Sequence, residues 1–130
     1  MDLPQVKSPG HTVEEWKTWE GRWELINGVA YDMTPAPSLE HQRVSGRLYL
    51  AIGNALEEGK GKTGGGECEA LAAPVDLYLP GQESVFQPDL VVVCDPAKLA
   101  PHGIVGVPDL VVEILSPSNA SRDTVAKRWA

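Results

Sequence analysis

The sequence predicts a mixed α/β domain, and three observations predict it. Apolar residues recur at helical spacing after Ser38, a two-residue alternation rich in branched residues takes over from Cys68, and turn residues separate the segments. With 130 residues, 42% of them hydrophobic, the chain is the size of one globular domain that can bury a real core. One domain over residues 1–130 is therefore expected.

Taken in order, "HTVEEWKTWEG" offers Thr12 as N-cap, Glu15 as its capping-box partner, Trp16 and Trp19 on one face and Gly21 as a stop, which predicts a short helix. In "RWELINGVAYDM", Asn27-Gly28 fill the slot that a type I′ turn favours, between alternating segments Trp23 to Ile26 and Val29 to Met33. A hairpin follows from that. Ser38 can cap a long helix in which Val44, Leu48, Ala51, Ile52, Ala55 and Leu56 share a face. Gly46, Leu50 and Gly53 form a second stripe. Glycine costs about 1 kcal/mol in a helix interior, so two on one line predict close approach by another backbone and a helix covered on two sides. "EEGKGKTGGGE" ends the helix in a flexible loop. "ECEALAAPVDLYL", "SVFQPDLVVVC" and "VPDLVVEIL" then read as three consecutive strands, separated by Pro80-Gly81 and by "DPAKLAPHGIVG". "SPSNASRDTVAKRWA" closes the chain with Asn119 or Ser121 capping a further helix. No stop signal follows, so the sequence reads as a truncated piece of a longer domain.

Composition excludes several function classes. A formal net charge of −7 argues against a broad basic surface and loose, charge-driven nucleic-acid binding, although a local groove stays open. No apolar run is long enough for a transmembrane helix, and "MDLPQVKSPGH" has no apolar stretch of a signal peptide, so the expected compartment is the cytosol, without membrane attachment. Cys68 and Cys94 have neither metal-ligand nor framework spacing and are expected as buried small hydrophobes, with no disulfide. "GKT" at Gly61 to Thr63 is not a P-loop, because the first glycine of that motif would fall on Leu56 and the context is helix, loop, strand. There is no HExxH or GxSxG, and the Asn119-Ala120-Ser121 sequon matters only in a secreted protein.

The informative feature is a repeat: "QPDLVVVCDP" from Gln87 is echoed by "VPDLVVEILS" from Val107, and only the second copy is followed by a glutamate. If the copies are neighbouring antiparallel strands, as consecutive strands often are, side-chain alternation puts Asp89, Val91 and Val93 on one face of the first strand. Asp109, Val111, Glu113 and Leu115 share a face of the second. In the register where Asp89 faces Glu113, residue 93 faces residue 109. Asp109 then stands roughly 13 Å from Glu113, at ~3.3 Å per residue. Asp89 and Glu113 can thus converge on one hard cation, and Mg²⁺, which takes a few carboxylate oxygens plus waters and phosphate oxygens, makes such a pair a phosphoryl-transfer signature. For Asp109 plain turn chemistry is the stronger reading. For Glu113, inside a strand of Val, Leu and Ile, function is stronger, because an isolated buried carboxylate is costly.

"WELINGVAYDM", "HQRVSGRLYLAI", "QPDLVVV" and "GVPDLVVEILSPSN", followed by Asp123 and Lys127, resemble the Uma-two family, grouped with restriction endonucleases in the PD-(D/E)xK nuclease superfamily. The resemblance runs from about Trp23 to the end of the chain. It implies a restriction-endonuclease-like mixed sheet with an antiparallel strand meander flanked by helices, lacking the family's C-terminal part. It further implies that Pro88-Asp89 is the PD element and that Glu113 begins the (D/E)xK element, where the third position is Leu115 instead of lysine. The lysine of such sites stabilises the attacking water or the phosphate. Lys127, one helical turn after Asp123, is the candidate to replace it, and equally a solvated lysine paired with that aspartate. Glu24 fits an acidic residue near the metal, and equally an exposed strand residue beside Trp23 and Leu25. His41 reads first as a capping or packing histidine. Arg43 and Arg47 could touch phosphates, but with Glu40 and Glu57 nearby a solvated face is favoured.

The expected function is a Mg²⁺- or Mn²⁺-dependent endonuclease acting on DNA, with Asp89 and Glu113 as metal ligands and catalytic residues. The Ile114 carbonyl and Glu24 are further metal ligands, and Lys127 stands near the reacting phosphate. The alternative is a nuclease-fold protein that has lost catalysis and serves as a binding or assembly module, which Leu115 and the acidic surface favour. An exposed sheet edge invites pairing, so a homo-oligomer, a dimer, is also expected.

Overall fold

The structure is a computed structural model that describes residues 10–33, 36–59 and 68–115. The first elements follow from local chemistry. Helix α1, Val13–Trp16, is capped by Thr12, whose hydroxyl accepts from Glu15 N at 3.2 Å. Strands β1, Trp23–Ile26, and β2, Val29–Asp32, pair antiparallel up to Ile26 opposite Val29. Asn27 and Gly28 turn between them at φ 50 and 81, both positive as a type I′ turn requires. Helix α2, Leu39–Gly59, begins at Ser38, whose Oγ accepts from His41 N at 3.1 Å.

The three predicted strands are more divided than their periodicity suggests. The first two become β3, Glu69–Ala72, β4, Leu77–Leu79, β5, Ser84–Phe86, and β6, Leu90–Val93. β4 pairs with β5, with Leu77 opposite Phe86, and β3 pairs with β6, with Ala72 opposite Leu90. Residues 73–76 therefore face residues 87–89, four against three, which is a bulge of one residue. Pro74 and Pro88 lie within it and cannot donate to a ladder. One long hairpin is thereby shared between two sheets.

The larger sheet has the order β2-β1-β5-β4-β8-β7 and the smaller β3-β6-β9. The segment expected as a long turn holds a 3₁₀ turn at Pro96–Lys98 and the short hairpin of β7, Leu99–Ala100, with β8, Gly103–Val105. β8 runs parallel to β4 and makes the sheet mixed. Elements of two and three residues carry no readable period, which is why alternation alone missed them. β9, Leu110–Val112, is the outer strand of the smaller sheet and leaves Leu110 and Val111 partly exposed.

The two sheets share one core. Ile26, Leu77, Phe86 and Ile104 from the larger sheet meet Val91 and Val93 from β6, with Leu71 and Val75 packed against them. Leu90 and Val92 are buried as well, so β6 is covered on both faces. Helix α2 packs against β3. Its second face does not meet another backbone: a Cβ placed on Gly46 or Gly53 would find no neighbouring atom within 4 Å, and Leu50 is exposed. The glycine stripe thus does not mark a two-sided helix among the described residues.

The cysteines also differ from expectation, since Cys68 and Cys94 form a disulfide. Glu69 lies opposite Val93 in the β3–β6 ladder, so the next pair outward is Cys68 with Cys94. Such a link depends on register, and spacing rules along the chain do not detect it. No helix among the described residues is long and apolar enough to cross a membrane.

Gly103 is the one glycine whose missing side chain the sheet requires at β8. Its φ is +152, and a Cβ there would collide with the Asp76 carbonyl oxygen, which accepts from Ile104 N at 2.9 Å. Gly103→Ala is expected to destabilise by about 2 kcal/mol or more. Gly46→Ala, in open space on α2, is expected to stabilise by about 0.5–1 kcal/mol. Urea unfolding of the two variants should move the midpoint in opposite directions.

Candidate metal and catalytic site

The site is built on the repeated Pro-Asp-Leu-Val-Val segments. β6 and β9 pair antiparallel, with Leu90 opposite Val112, Val91 opposite Val111 and Val92 opposite Leu110. One step beyond that ladder puts Asp89 opposite Glu113, and at the other end Val93 opposite Asp109, which is the register considered from the sequence. Residues directly opposite have Cβ atoms about 4.5–5.5 Å apart.

Both aspartates work on the backbone. Asp89 Oδ2 accepts from Ile114 N at 2.8 Å, and Asp109 Oδ2 accepts from Cys94 N at 2.6 Å. Each carboxylate at the start of one strand thus holds the N–H just past the end of the other. That explains why the motif is written twice: an antiparallel pair has two ends with orphan donors, and each copy closes one.

Asp89 then departs from its twin. His41 Nε2, from the first turn of α2, lies 3.2 Å from Asp89 Oδ2, with the two side chains 3% and 13% exposed. His41 Nδ1 lies 2.9 Å from Gln42 Oε1. His41 is therefore more than a cap or packing residue, and its partner is 48 residues away, where no local signal points to it. Glu24 is fully buried on β1, and its Oε2 accepts from Gln87 N at 2.7 Å. This overturns the reading of Glu24 as an exposed strand residue. Gln87 itself donates through Nε2 to Asp76 Oδ1 at 3.0 Å.

Glu113 and Ile114 are half-buried, and Leu115 is 51% exposed. Lys127 and Asp123 lie outside the described residues. Among the described residues, no group of three or more His, Cys, Asp and Glu is placed to hold a metal ion. Asp89, Glu113 and Glu24 are thus not gathered into an all-protein cage. Two carboxylates opposite each other suit the other kind of site, in which a hard cation keeps waters and meets substrate oxygens. Arg43 and Glu40 face each other at 3.6 Å on the exposed side of α2, as a solvated face.

A cleft of about 640 Å³ opens beside Gln87 and Asp76, bounded by Arg22, Val75, His102 and Ile104. Asp89 and Glu113 do not line it, so its size does not mark the chemistry. Nearby, burial and then the Asp76 carboxylate push the Tyr78 phenol above its usual value.

Residues 12–130 match the Uma-two family, described as "Putative restriction endonuclease". An uncharacterized protein of Synechocystis sp. is 30% identical over 128 residues, covering 95% of this chain and 63% of that protein. A crystal structure from Anabaena variabilis, described as a "putative nuclease belonging to DUF820", matches with a TM-score of 0.66 at 19% identity, over 92% of this chain and 65% of that one. At that identity the likeness speaks for the fold. The chain spans just under two thirds of the length of each of these relatives.

Asp109→Ala should cost about 1 kcal/mol, by leaving the Cys94 N–H without its acceptor, as measured in denaturant. Asp109→Asn, which keeps an acceptor oxygen, should recover most of that loss.

Proposed function

The chain belongs to the Uma-two family, and from that premise we propose that it is a divalent-metal-dependent endonuclease hydrolysing DNA phosphodiester bonds. The observation that carries the reading is the β6–β9 register, which sets Asp89 against Glu113 while Asp89 Oδ2 is already engaged by Ile114 N. Two carboxylate side chains at opposed positions of neighbouring strands are within reach of one divalent cation, which would be held by both.

In this reading Asp89 and Glu113 hold Mg²⁺ or Mn²⁺, with the Ile114 carbonyl and Glu24 as further ligands. A divalent ion bound there would neutralise charge on the phosphate and make water a competent nucleophile near neutral pH. The protein's part is orientation. The Ile114 N–H fixes one oxygen of Asp89, and the Gln87 N–H fixes one oxygen of Glu24. Both carboxylates are thereby ordered before substrate arrives. Lys127 is assigned to the reacting phosphate, where Leu115 cannot serve.

One observation favours a second reading. Leu115 stands 51% exposed where a nuclease of this superfamily would place its lysine. A fold that keeps the carboxylates and lacks a working cation would bind nucleic acid or protein without cutting.

Cleavage of supercoiled plasmid and single-stranded DNA in Mn²⁺ or Mg²⁺ separates the two. Cutting that falls at least about 100-fold in both Asp89→Ala and Glu113→Ala supports the nuclease. No cutting by the wild-type protein, with DNA retained in EDTA, supports the binding module.

A further inference from the structure

Among the described residues of α2, His41 alone is buried, at 5% exposure. A buried imidazole is costly unless both nitrogens are satisfied, and an aliphatic side chain would fill a helix–sheet contact without that demand. Here both nitrogens face side-chain oxygens: Nε2 lies 3.2 Å from Asp89 Oδ2 and Nδ1 lies 2.9 Å from Gln42 Oε1. The contact to Asp89 is a polar approach of imidazole edge and carboxylate oxygen, which only accepts, so a donor on this side of Asp89 can come from Nε2 alone. Two contacts then converge on one atom, because Ile114 N also reaches Oδ2, at 2.8 Å.

That convergence divides the work of the carboxylate. Oδ2 belongs to the protein, held from the helix by His41 and from the neighbouring strand by Ile114. Oδ1 is the oxygen left for a ligand. The terminal torsion of an aspartate is broad, so one backbone N–H leaves the carboxylate room to rock, and a second contact from a different element narrows that range. The helix side of the restraint is itself anchored, because Ser38 Oγ accepts from His41 N at 3.1 Å.

We propose that His41 is a positioning residue of the candidate site, which fixes Asp89 through Oδ2 so that Oδ1 is presented to a divalent cation. The inference rests on the reading of Asp89 as a metal ligand and adds to it the residue that orients the ligand. Partners that orient a metal ligand change affinity about 10–100-fold when removed. An effect of that size requires no contact between His41 and the metal.

The test is Mn²⁺ binding by calorimetry to the wild-type chain and to Asp89→Ala, His41→Leu and His41→Gln, with a thermal melt of each. His41→Leu keeps the buried volume without a donor, and His41→Gln restores a side-chain N–H at similar reach. The expected result is cooperative melting of both His41 variants, Mn²⁺ affinity about 10–100-fold lower in His41→Leu, and affinity within about threefold of wild type in His41→Gln. If His41→Leu fails to fold, His41→Met serves as the donor-free variant under the same criterion.

Wild-type affinity in a folded donor-free variant, with binding lost in Asp89→Ala, would overturn the positioning role and leave the metal site standing. Equal losses in the donor-free variant and His41→Gln would overturn it too, because the donor would then not be the cause. No Mn²⁺ binding by the wild-type chain would overturn the metal-site reading and this inference with it.

Discussion

The candidate site depends on one constraint, the antiparallel register between β6 and β9. A slip of one residue in a strand sends every side chain to the opposite face. Here it would carry Val91 and Val93 off the face that meets the larger sheet and Asp89 away from Glu113. The register is secured at both ends by the same device, an aspartate accepting the N–H that the other strand leaves over. Folding and site assembly therefore share their determinants. The arrangement that buries the valines is the one that opposes the two carboxylates.

That pair of strands is not self-sufficient. β6 is buried on both faces, with the larger sheet packed on one of them and β3, against which α2 packs, beside it in the smaller sheet. The residues around Asp89 come from all of these layers: His41 from the helix, Ile114 from the strand beside it, and Gln87 from the crossing between sheets. Buried polar groups of this kind are tolerated only when their partners are in place. The polar network is consequently as demanding of correct packing as the valine core.

Much of this was legible in the residues because the signals were local or symmetric. Thr12 and Ser38 announce helix starts, and Asn27-Gly28 announces a turn with two positive φ values. The doubled Pro-Asp-Leu-Val-Val motif contains its own register, since an antiparallel pair of like sequences has few sensible alignments. What escaped were features set by distant partners. Pro74 and Pro88 look like ordinary strand residues until the ladders on either side show that they lie in the bulge that divides one hairpin between two sheets. Cys68 and Cys94 are unremarkable along the chain and adjacent across the ladder. Gly46 and Gly53 carried a packing expectation that the open surface of α2 does not meet. Glu24 lies on the same strand as Leu25 and Ile26, yet all three are buried, and the Gln87 N–H that meets one oxygen of the carboxylate comes from a residue 63 positions away.

The division of that hairpin is also a junction between layers. Residues 87–89 are the strip where the chain leaves the larger sheet for the smaller; Glu24 accepts from its first N–H, and Asp89 is its last residue. The backbone of this short stretch therefore carries a contact to the larger sheet through Glu24 and leads at Asp89 into the strand of the smaller sheet, so one strip of three residues is common to both layers.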